Sequence, residues 1–139
     1  MIDDTDKKII KVLSENGRIS MKQLGEEVHL TGQAASTRVL KLEEAGIIEG
    51  YSVKVNEQRV GLPVHAFINI YTKSLQHQHY FQVLDIYKPY VRNNFKISGE
   101  GCYLLECRFP SNEELDSFLV DLSKQVSYKL SIVVSQTKS

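Results

Sequence analysis

The sequence predicts an α+β chain in two parts, a helical N-terminal head followed by a ferredoxin-like βαββαβ sheet domain. Three observations carry this. Apolar residues recur at helical spacing from Ile9 to Leu42, a strand-helix-strand-strand-helix-strand alternation occupies the chain after Pro63, and Gly61-Leu62-Pro63 punctuates the junction. The boundary is placed there, with residues 1–61 and 62–139 as the two domains. Proline at the first residue of a strand costs no needed ladder hydrogen bond.

The first helix opens with Asp3, Asp4 and Asp6, whose negative charge suits the exposed N–H groups of a helix start. It carries the stripe Ile9, Ile10 and Leu13 before Asn16-Gly17 ends it. Ser20 with Gln23 three residues later is a capping box for a second helix, in which Met21, Leu24 and Val28 share one face. His29-Leu30 leaves room only for a corner. Thr31 can cap a third helix whose Ala35, Val39 and Leu42 recur at i, i+4 and i+7 until Gly46 stops it. Residues 47–56 then hold the step Gly50-Tyr51 and the alternation Tyr51, Val53, Val55, expected as a wing packed back on the bundle. Asn56 is expected to cap a short linker helix ending at Gly61. Together these elements describe a winged helix-turn-helix.

In the second part the expected strands are 64–72, 91–98, 102–109 and 128–136, with helices at 78–88 and 112–125. Ser111 and Glu114 form another capping box behind Pro110, and Leu115, Phe118, Leu119 and Leu122 mark the buried stripe of the last helix. Along the first strand Val64, Ala66, Ile68 and Ile70 can face the helices. His65, Phe67, Asn69 and Tyr71 are then left on the opposite face, which is too aromatic for water, and a second copy of the chain is the expected cover.

Seventeen basic residues balance seventeen acidic ones, and residues 1–60 hold nine Lys/Arg against ten Asp/Glu. The head is therefore not a basic module, and affinity for phosphate has to come from local placement of cations and from pairing two heads. No signal-peptide-like start and no apolar run of the roughly 20 residues needed to span a bilayer is present, so a cytoplasmic protein is expected. Cys102 and Cys107, five apart on a strand, point to opposite faces and are expected as free thiols.

With Ala35, Val39 and Leu42 turned inward, a spacing of 100° per residue points Gln33, Thr37 and Lys41 outward, with Ala34 and Arg38 at the margins. A helix fits the major groove of B-DNA, where Gln can pair in bidentate fashion with adenine and Thr offers a methyl or a hydroxyl. Gln33 and Thr37 are the candidates for base edges. Arg38, Lys41, Lys22, Arg18 and Lys54 are candidates for phosphates, and Ser20 and Thr31 for hydroxyl or helix-end N–H contacts. The other expectation on periodicity alone is a three-helix bundle with an ordinary solvated face. Leu40 lies towards the outward side of the same helix.

The run GRIS, the helix ending RVLKLEEAGII, the wing step Gly50-Tyr51 and the segment SGEGCYLL occur in an order and spacing that resembles the Lrp/AsnC (leucine-responsive, feast/famine) family of transcription regulators over nearly the whole chain. The resemblance implies double-stranded DNA as partner, a homodimer able to assemble to a tetramer or octamer, and an amino-acid effector bound at Ser98, Gly99, Glu100, Gly101, Cys102 and Tyr103. Many relatives read G-D-x-D-Y there, and this chain replaces the second carboxylate with Cys102, which removes an acceptor for an amino group. The alternative is a tight hairpin whose glycines only meet turn geometry. Two other functions remain beside the regulator: an architectural DNA-wrapping protein without effector, and an enzyme of tetrapyrrole modification with a similar two-part shape. No phosphate-cradling loop, nucleophile elbow or acid/base pair is present, and the four histidines lack metal-ligand spacing, so neither catalysis, cofactor nor metal is expected.

Overall fold

A computed structural model describes residues 2–73, 75 and 77–139. The chain divides into two compact units, Met1–Lys54 and Val55–Ser139.

The first unit holds α1 (Asp4–Glu15), α2 (Met21–Val28) and α3 (Gly32–Glu44). Each starts on a side-chain cap. Asp3 accepts from the Asp6 N–H while Asp6 accepts from the Asp3 N–H, Ser20 accepts from Gln23, and Thr31 accepts from Ala34. The caps set the helix starts so that Ile9, Leu24, Val28, Ala35, Val39 and Leu42 meet in one buried cluster, as their spacing predicts. His29, in the left-handed conformation with φ 61°, turns the corner between α2 and α3. A Cβ on Gly25 would stand 2.5 Å from the Leu30 carbonyl oxygen, so this glycine is what lets the corner close so tightly.

The wing differs from expectation. Residues 49–56 form no strand, and Tyr51, Val53 and Val55 are exposed, Val53 by 81%, rather than packed on the bundle. A strand exists only through pairing, and alternation by itself leaves this segment extended within the single chain. The linker helix is likewise replaced by turns: the Arg59 N–H donates to Asn56 Oδ1 at 3.2 Å, and five residues up to Gly61 are too few for helix nucleation to be repaid.

The second unit runs β1 (Val64–Tyr71), α4 (Gln78–Ile86), a 3-10 turn at Lys88–Tyr90, β2 (Val91–Lys96), β3 (Tyr103–Phe109), α5 (Asn112–Ser123) and β4 (Ser127–Ile132). The sheet order is β2-β3-β1-β4, antiparallel throughout, which is the ferredoxin-like arrangement. Ala66, Ile68 and Ile70 of β1 and Tyr103, Leu105, Cys107 and Phe109 of β3 pack against Tyr80, Val83 and Leu84 of α4 and Leu115, Phe118 and Leu122 of α5. The Tyr87 hydroxyl donates to Asp121 at 2.6 Å and ties the end of α4 to α5. On the opposite face His65, Phe67, Asn69 and Tyr71 are only half-buried, beside Leu104, Glu106 and Arg108 of β3, and Phe95 of β2 is 52% exposed. Cys102 and Cys107 are both free thiols, and burial pushes the Cys107 thiol up to about 12.

Candidate nucleic-acid interface

α3 separates its residues as its spacing requires. Ala35, Val39 and Leu42 are buried, while Gln33, Thr37 and Lys41 stand exposed and Leu40 interrupts this polar face at 53% exposure. The Thr37 hydroxyl donates to the Gln33 carbonyl at 3.0 Å. Its proton is thereby committed to the helix backbone, leaving the methyl and an oxygen lone pair for a partner. Gln33 lies in the first turn, where side chains of a groove-bound helix reach base edges.

Lys22 joins this surface through backbone packing. A Cβ on Gly32 would lie 3.3 Å from the Lys22 Cα, so the start of α2 abuts the first turn of α3 and brings exposed Lys22 and Ser20 beside Thr31, Gln33 and half-buried Ala34. Ser20 and Thr31 use oxygen lone pairs for their caps and keep hydroxyl protons to donate. Arg18 and Lys54 lie elsewhere in the unit. They share an open cleft of about 900 Å³ with Ile10 and Leu13 of α1 and with Ile47–Val53, and no α3 residue lines it.

Arg38 does not stand free. Its Nη1 donates to both carboxylate oxygens of Asp3, at 2.7 and 2.9 Å, and to Asp6 Oδ1 at 3.2 Å. The Arg38 guanidinium and the Asp6 N–H hold the Asp3 carboxyl below the usual carboxylate range, and the two aspartates raise Arg38 in turn. Sequence reasoning placed Asp3 and Asp6 at a helix start but had no signal for this contact, because the partner lies 35 and 32 residues away along the chain.

The hairpin between β2 and β3 gathers Ser98, Gly99, Glu100, Gly101, Cys102 and Tyr103. The Cys102 N–H donates to the Ile70 carbonyl at 2.7 Å, and a Cβ on Gly101, whose φ is +98°, would stand 2.7 Å from that same oxygen. The close approach that this glycine permits is therefore made to β1. Asn69 Nδ2 donates to the Glu100 carbonyl at 2.8 Å. Two residues absent from the expected group join it: Thr72 Oγ1 lies 3.3 Å from Cys102 Sγ and 3.1 Å from His77 Nε2, and His77 Nδ1 lies 2.6 Å from the Tyr103 hydroxyl. Hydrogen bonds from Thr72 hold the Cys102 thiol below its ordinary value. Among the described residues no group of three or more His, Cys, Asp or Glu side chains could hold a metal ion, and no helix is long and apolar enough to cross a membrane.

A family model described as winged helix-turn-helix DNA-binding matches residues 2–49, the three helices and the caps just described. The HTH-type transcriptional regulator LrpA of Bacillus subtilis is 54% identical over 136 residues, covering 98% of this chain and 100% of the relative. The chain belongs to the Lrp/AsnC family. Its two-part fold is shared with solved members. B. subtilis LrpC superposes with a TM-score of 0.91 at 27% identity, covering 100% of this chain and 99% of that one. A transcriptional regulator from Neisseria meningitidis, solved as an L-Met complex, also gives 0.91, at 29% identity and covering 100% and 94%. In this Lrp/AsnC member the family model ends at residue 49, before the extended segment, whereas the full-length likenesses include the sheet unit and its hairpin.

Proposed function

We propose that this Lrp/AsnC chain is a transcriptional regulator that binds double-stranded DNA through the outer face of α3 and acts as a homodimer. The observation that carries this is the division of a 13-residue capped helix into a fully packed apolar stripe and an exposed polar face with Gln33 in its first turn. Gln33 and Thr37 read base edges in the major groove. Lys22, Lys41, Ser20 and Thr31 set the register on phosphates from α2 and α3, and Arg18 and Lys54 reach the backbone from the wing side. Residues 1–61 serve as the DNA-binding domain with its linker and 62–139 as the dimerisation and regulatory domain. The role is non-catalytic and cytoplasmic, on the nucleoid. In vitro selection of duplexes followed by binding titrations tests this: a consensus should emerge, and equal affinity for selected and random DNA would instead favour the architectural reading.

The sheet face bearing Phe67, Tyr71, Phe95 and Leu104 supplies the dimer contact, and two or four dimers build a tetramer or an octamer. A small amino-acid-like effector is proposed at Ser98–Tyr103, extended by Thr72 and His77. Support comes from the L-Met complex of the N. meningitidis neighbour and from a feast or famine regulatory protein of Mycobacterium tuberculosis complexed with L-methionine, at 25% identity and TM-score 0.89. With Cys102 where relatives carry a carboxylate, the ammonium group has to be held by Glu100 or by carbonyl oxygens. Calorimetric titration with a panel of L-amino acids checks it, and heats of dilution alone for every member would leave the hairpin a turn without effector.

A further inference from the structure

The buried stripe Ala35, Val39 and Leu42 fixes which face of α3 turns inward, but apolar attraction is non-directional and leaves the finer angle of the helix about its axis loosely set. Directional contacts have to set it. Among the described residues such a device links the start of α1 to α3: Asp3 Oδ1 accepts from the Asp6 N–H and Arg38 Nη1, Asp3 Oδ2 accepts from Nη1, Asp6 Oδ1 accepts from Nη1, and Asp6 Oδ2 accepts from the Asp3 N–H. All four carboxylate oxygens are used. The reciprocal cap holds both carboxylates on the helix start independently of Arg38, so the guanidinium meets a preorganised pair of anions rather than swinging surface side chains.

Arg38 follows Thr37 directly and stands about 100° around the helix from it. Anchoring Arg38 therefore sets the angle at which Thr37 and Gln33 leave the surface. The same contact offsets one of the two carboxylate charges in a head in which acidic residues outnumber basic ones.

We propose that Asp3 and Asp6 are positioning residues for DNA reading, acting through Arg38, and that Arg38 serves binding as the key of this clamp rather than as a phosphate contact. The proposal rests on the DNA-binding reading of α3 and deepens it. It concerns the orientation of one helix, so its signature is the ratio of affinities for a selected duplex and a random one, a quantity that overall charge moves little.

The test measures that ratio and the salt slope for wild type, Asp3→Asn/Asp6→Asn, Arg38→Ala and the triple variant. Asn keeps the N-cap of α1, so the helix start survives, and thermal unfolding verifies that each protein is folded. The clamp predicts that Asp3→Asn/Asp6→Asn and Arg38→Ala each lower the ratio on the order of tenfold, about the discrimination of one base contact. The triple variant should be no worse than Arg38→Ala, since all act through one device, and the salt slope of Arg38→Ala should equal that of wild type. A slope reduced by about 0.9 for Arg38→Ala, with equal losses on both duplexes, would make Arg38 a phosphate contact and overturn the proposal. So would an unchanged ratio in Asp3→Asn/Asp6→Asn. Wild type binding neither duplex would instead refute the DNA-binding reading beneath it.

Discussion

Single side chains decide whether the head reads sequence or merely adheres. Replacing Gln33 by Ala should relax preference at one base position by about 1 to 3 kcal/mol, while Lys41→Ala should weaken selected and random duplexes alike. Binding titrations on duplexes varied at each position separate the two. Gly25→Ala tests the corner: its Cβ would meet the Leu30 and Thr31 carbonyls at 2.5 and 2.9 Å, and overpacking of this kind costs about 1 to 3 kcal/mol, read as a lowered melting temperature of the head. Gln33, Thr37 and Lys41 could be placed from the sequence because a helix repeats every 3.6 residues. Thr37's donor bond to the Gln33 carbonyl, by contrast, depends on a rotamer, and the Arg38 clamp on which helices touch.

At the level of elements, the caps do most of the specifying, since Asp3, Ser20, Thr31 and Ser111 each start a helix where local pattern alone places it. The Asp3–Arg38 contact adds a pH dependence of known sign. A carboxyl lowered in the folded state stabilises at pH above its unfolded value, and that contribution is lost as pH falls through the lowered folded value. Acid unfolding of wild type should thus steepen below about pH 4, and Asp3→Asn should flatten that limb in a circular-dichroism titration. In α5, Leu122 is fully buried against the sheet, and Leu122→Ala should cost about 2 to 5 kcal/mol in denaturant unfolding. The wing strand and the linker helix are where local pattern and structure part: Tyr51, Val53 and Val55 alternate as a strand does, yet alternation specifies a face only when a neighbour supplies the hydrogen bonds.

For the whole molecule, charge and surface set the expectations. A balanced chain binding as a paired regulator with six to ten phosphate contacts should lose about 10³- to 10⁵-fold in affinity between 50 and 200 mM salt, and a flat titration would contradict the interface. Phe67→Asp, on the sheet face away from the helices, should convert the proposed dimer to monomer in light scattering without unfolding the domain, because the side chain lies outside the core. The amino-acid sequence by itself determined the order of the three head helices and of the sheet domain's elements, the inward stripes of α3 and α5, the alternation of β1 and the outward set on α3. Each of these follows from local periodicity and capping, which act over a few residues. Only the tertiary structure decided that Arg38 is clasped by Asp3 and Asp6, that Thr72 and His77 join Cys102 and Tyr103, that Gly101 makes room for Ile70, and that the wing segment pairs with no strand among the described residues. Those are contacts between residues far apart along the chain, and no periodicity encodes which distant side chains the packing of whole helices and strands will bring within hydrogen-bond reach.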